Sequence, residues 1–74
     1  MENTKIKIEN SSTIVEVEYH KEEQNLDVTF KAGKTYRYYG VPEEVYNEFI
    51  KAESLGKYLN ANIKSFNHEV IQKA

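Results

Sequence analysis

Seventy-four residues carry ten Lys and Arg against twelve Asp and Glu, a net charge of −2, and no cysteine. A chain this short forms one domain near the lower limit for folding alone and buries roughly 60% of its unfolded surface, which leaves no core for a large enclosed cavity. The charge balance speaks against a domain that grips a long polyanion, and the missing thiols exclude disulfide staples, thiol catalysis and thiolate metal sites.

Residues 1–10 are polar, with Lys5-Ile6-Lys7-Ile8 as a short alternation that suits an N-terminal extension or an edge strand. No charged-then-apolar leader and no long apolar run is present, so neither a signal peptide nor a membrane span is expected. The absence of cysteine fits a reducing compartment such as the cytoplasm.

Ser11 to His20 reads as the first secure strand, with Val15, Val17 and Tyr19 facing a core and Glu16, Glu18 and His20 facing out. Lys21 to Asn25 is a charged connection. Leu26, Val28 and Phe30 then alternate with Asp27, Thr29 and Lys31, and Tyr36 to Tyr39 resumes the strand character after Gly33. A two-residue Ala32-Gly33 loop would put Arg37 on the face of Val28. A three-residue Lys31-Ala32-Gly33 loop, with Gly33 left-handed, pairs Phe30 with Lys34, Val28 with Tyr36 and Leu26 with Tyr38. The second register is preferred, because it sets Asp27 opposite Arg37 as an exposed cross-strand ion pair and buries no guanidinium. Pairing Tyr19 with Leu26, Val17 with Val28 and Val15 with Phe30 completes a three-stranded antiparallel meander with one apolar face.

That face needs a cover. Pro42 suits the first position of a helix, Glu43 and Glu44 complement its dipole, and Val45, Tyr46, Phe49, Ile50 and Ala52 form an apolar stripe. After a break near Glu53, Ser54 caps a shorter helix whose inner side is Leu55, Tyr58, Leu59 and Ile63. Gly56 weakens that helix, unless a backbone or ligand must come close there. A tail, residues 67–74, ends the chain; the last ten residues hold Phe66, Val70 and Ile71 among polar groups and suit one more helical turn, a crossing of the sheet edge or a contact with a second subunit.

Tyr36-Arg37-Tyr38, then Gly40-Val41-Pro42-Glu43-Glu44-Val45-Tyr46, then Ser54-x-Gly56-Lys57-Tyr58-Leu59-Asn60-x-x-Ile63 resemble the KTSC domain. That family is named for a C-terminal module of some lysyl-tRNA synthetases and also occurs as small free-standing bacterial and phage proteins. Its tyrosine-x-tyrosine is matched by Tyr36 and Tyr38, and its glycine–aromatic–x–asparagine segment by Gly56, Tyr58 and Asn60. The resemblance spans 11–66. The chain departs at Leu59, where an aromatic residue is frequent, and in a less basic end after Ile63. The RNA-binding role proposed for the family would lean on those basic residues, and no established activity comes with the name.

Among candidate sites, Tyr36 and Tyr38 suit base stacking, with sheet-face core as the competing reading. Arg37 suits phosphate, although Asp27 also accounts for it. Lys57, Asn60 and Lys64 crowd, with Asn62, into one turn-rich segment and are expected to meet Arg37 and the tyrosine pair in a shallow groove. Lys73 is a further cation for such a patch. His20 and His68 lie in no metal-ligand spacing, and no nucleophile–base order or phosphate-cradling loop is present. The expectation is therefore a non-catalytic α+β module with no metal or cofactor, covered by one longer and one shorter helix and assembled as a homo-oligomer. Its expected partner is a nucleotide-like small molecule, with RNA or a protein as the alternatives.

Overall fold

In a computed structural model, residues 3–9 and 11–72 are described. Five strands run in the order β1 (Asn3–Lys7), β2 (Ile14–His20), β3 (Asn25–Phe30), β4 (Thr35–Tyr38) and β5 (His68–Gln72). Every neighbour is antiparallel. Helix α1 (Glu43–Lys51) and a short α2 (Leu55–Tyr58), continued by a π-helical turn over Leu59–Ile63, lie between β4 and β5. The three-stranded meander is thus the centre of a wider sheet. The N-terminal alternation supplies one edge, and the segment read as a tail supplies the other.

The three-residue turn is the one adopted. Gly33 has φ +100°, and Phe30 N donates to Lys34 O at 2.8 Å. Leu26 then opposes Tyr38, Val28 opposes Tyr36, and Asp27 opposes Arg37. In β2 the expected pairs Tyr19–Leu26 and Val17–Val28 are present, but Ile14, not Val15, opposes Phe30. A bulge at Val15 accounts for the change: one extra residue turns Ile14 inward, where it is fully buried.

Pro42 precedes α1 as its cap residue, with φ −65° and ψ 154°, so the helix begins at Glu43, one position after the expected start. From α1, Tyr46 and Phe49 are buried; from the second helical segment, Leu55, Leu59 and Ile63. They close over Ile14, Val17, Tyr19, Leu26, Val28 and Tyr38 of the sheet. Removing the fully buried Phe49 ring would cost about 3–5 kcal/mol.

The opposite sheet face is polar but not bare. Arg37 Nε and Nη2 donate to the two Asp27 carboxylate oxygens at 2.8 and 2.9 Å, and His20 Nε2 lies 3.0 Å from Asp27 Oδ2. This network leaves Asp27 only 7% exposed, so the pair is a covered one and not the exposed pair expected. The hydrogen bond to Asp27 holds the Arg37 guanidinium protonated well above its ordinary range. Among the described residues no helix is long and apolar enough to cross a membrane.

Candidate functional site

Ser54 Oγ accepts from Lys57 N at 3.4 Å and starts α2. The helix then widens, because Lys64 N donates to Leu59 O at 2.7 Å, a bond to the fifth residue back. Such π-type turns are uncommon and frequent at functional sites. Leu59 and Ile63 remain in the core, while the exposed Asn60 and Lys64 reach the edge of the sheet. Between this turn and the sheet lies an open groove of about 520 Å³.

Aromatic rings form its floor. Tyr36 and Tyr38 project from β4 with centroids 6.4 Å apart, and Phe30 meets Tyr36 edge-on at 5.4 Å. His68 from β5 continues the platform, 4.9 Å from Tyr38 and 5.9 Å from Tyr36. Its Nδ1 lies 3.0 Å from the carbonyl of Phe66. A carbonyl only accepts, so Nδ1 carries the proton and Nε2 is left for another partner. Tyr38 is 4% exposed, and burial, followed by the Tyr36 hydroxyl, pushes its pKa up and keeps it neutral. Tyr36 is only half-buried. Tyr38 is therefore core as well as floor, and Tyr36 offers the more open ring.

Cations flank the floor on two sides, Lys31 and Lys34 on the β3–β4 hairpin and Lys64 on the π-helical turn, and among the described residues no carboxylate lines the groove. Among the described residues none of these lysines is ion-paired. Among the described residues, an acidic chain thus gathers Lys31, Lys34 and Lys64 at one site and sets no acidic side chain beside them. Net charge hid this asymmetry, since Lys31 and Lys34 look like turn residues and His68 like part of a tail.

Of the expected site residues, Tyr36, Tyr38, Asn60 and Lys64 converge on the groove. Arg37 does not. The period of a strand turns it to the far face, where Asp27 holds it. Lys57 is also outside, exposed on the first turn of α2, and Asn62 donates to Tyr58 O at 3.4 Å. Lys73 falls outside the described residues. On the far face Glu18, His20 and Asp27 bring ligand atoms within 4.8 Å of one another. The Arg37 fork occupies both Asp27 oxygens and opposes a second cation, so this cluster fits a metal poorly.

The KTSC domain pattern matches residues 10–66. This chain belongs to the KTSC domain family. A protein of Tsukamurella paurometabola is 43% identical over 54 residues, covering 73% of this chain and 81% of that one. An uncharacterized protein of Stutzerimonas stutzeri is 41% identical over 54 residues, 73% of this chain and 76% of its own. The crystal structure of a KTSC domain protein from Yersinia pestis superposes with a TM-score of 0.86 at 30% identity, covering 96% of this chain and all of that one. For this KTSC domain, that likeness covers more of the chain than the 10–66 segment the family pattern matches.

Proposed function

We propose that this KTSC domain is a non-catalytic module that binds a small nucleotide-like anion in the groove between β4, β5 and the π-helical turn. The observation that carries the reading is the meeting of an aromatic floor with Lys31, Lys34 and Lys64 where, among the described residues, no carboxylate lines the walls. A base stacks on Tyr36, lysines neutralise phosphate, and the Asn60 amide suits a base edge or ribose. Among the described residues the groove holds no nucleophile with an adjacent base, so the ligand would be held rather than turned over. A small cytoplasmic protein of this kind would act by sequestration.

RNA is the second reading, favoured by the same rings and lysines. Three lysines neutralise few phosphates, and a groove of about 520 Å³ is the size of one small ligand. A thermal-shift screen of nucleotides, ADP-ribose and a short RNA, on the parent and on Asn60→Ala and Lys64→Ala, separates these outcomes. A mononucleotide or ADP-ribose should raise the Tm of the parent and raise it less in both variants. Stabilisation by RNA alone would replace the small ligand with a polymer, and no stabilisation by any probe would overturn the reading.

A further inference from the structure

We infer that the groove is one arm of a two-part trough, joined across Gly56 to a second cleft, and that its ligand has two parts. A planar base with phosphate would occupy the cationic arm, and a neutral, hydroxyl-bearing unit such as a second ribose the other. This rests on the ligand-binding reading above and narrows it to dinucleotide-sized phosphoanhydrides or phosphodiesters.

The second cleft has a volume of about 340 Å³ and lies on the far side of the start of α2, against residues 7–9 and 11–13. Thr13 and Gly56 line both cavities. They are the saddle between them. Among the described residues a Cβ built on Gly56 would meet Thr13 alone, at 3.9 Å from Oγ1 and 4.0 Å from Cβ, which is ordinary contact. Neither a steric clash nor a left-handed backbone calls for glycine here, and glycine weakens a helix relative to alanine. What the missing side chain leaves is a low ridge over which a ligand can pass.

The two arms differ in chemistry. Among the described residues the cationic arm has three lysines and no carboxylate, whereas the second has Lys7 together with Glu9 and Glu53. A second phosphate gains little there, but a hydroxyl-rich group meets donors and acceptors. Ser11 Oγ accepts from Thr13 N and Ile14 N, and Ser54 Oγ from Lys57 N. The Ser12 and Thr13 side chains, both exposed, are left to face a ligand.

Calorimetric titration of the full chain with AMP, a one-part probe, and ADP-ribose, a two-part probe, tests this. The parent should bind ADP-ribose at least about tenfold more tightly than AMP, a gap worth one well-formed set of contacts. Gly56→Val fills the saddle from the helix and Thr13→Ile from the loop, so the test survives if one variant fails to fold. Each folded variant should lose the ADP-ribose advantage, the ratio of the two affinities falling to about one whatever the change does to the shared groove. Equal affinities in the parent, or an undiminished advantage in a filled variant, would overturn the two-part trough while leaving the groove intact. Binding of neither probe would overturn the trough together with the reading beneath it.

Discussion

Tyr19 and Tyr46 stack with ring centroids 4.4 Å apart and planes within 8°, yet their hydroxyls fare differently. Tyr19 donates to Val41 O at 2.6 Å, while the buried Tyr46 hydroxyl has no partner among the described residues. Tyr19→Phe should therefore cost about 0.5–1.5 kcal/mol, the net worth of one hydrogen bond. Tyr46→Phe keeps the stack and removes an unsatisfied group, so it should be neutral or stabilising in urea unfolding. Equal losses in the two variants would mean that Tyr46 has a partner too.

The same two rings, with Tyr38, set the alkaline limit of stability. Burial is the first cause that raises each pKa above the ordinary value of 10.0. The unfolded chain loses these protons near pH 10 and the folded chain only at higher pH. Their contribution is present in full below pH 10 and is lost as pH rises above it. Unfolding followed from pH 8 to pH 12 should show a steep fall that begins near pH 10 and is shallower in Tyr46→Phe.

Arg37→Ala should cost more than an exposed ion pair does. Asp27 is 7% exposed, so losing the guanidinium leaves a covered carboxylate with His20 alone. About 1–3 kcal/mol is expected, the cost of stranding such a group, against 0.2–1 kcal/mol for a surface pair. Ligand affinity should not change, because Arg37 is on the far face. Denaturant melts and a nucleotide titration of one variant check both halves.

Gly56→Ala adds a methyl group where only ordinary contact with Thr13 awaits it. The free protein should gain up to about 1 kcal/mol from helix propensity. A loss of stability would show that the glycine is required by the fold itself.

Edge strand β5 carries the exposed Val70 and Ile71, at 36% and 40%. If a second copy pairs along this edge, light scattering should give a dimer that Val70→Lys with Ile71→Lys converts to monomer. A parent that is monomeric at micromolar concentration would remove the homo-oligomer.

The sheet was legible wherever apolar residues alternate without interruption. Leu26, Val28 and the Gly33 turn fix the β3–β4 register, and Tyr19 and Val17 fix most of β2. The bulge at Val15 was not legible, since nothing in Ile14-Val15-Glu16 marks which residue will be extra. Strand β5 was not legible, because His68 to Gln72 has no partner pattern until β4 supplies one. The groove was half legible. Asn60 and Lys64 share a helical face, but Lys31, Lys34 and His68 come from segments that only the folded sheet brings together. Arg37 was attractive by charge and is excluded by strand parity.

The most direct measurement is a two-dimensional amide NMR titration of the labelled protein with AMP and ADP-ribose. Binding in the groove predicts shifts that saturate at Tyr36, Tyr38, Asn60, Lys64 and His68, with Asp27 and Arg37 left in place. Shifts centred on Asp27 and Arg37, or none with either nucleotide, would contradict it.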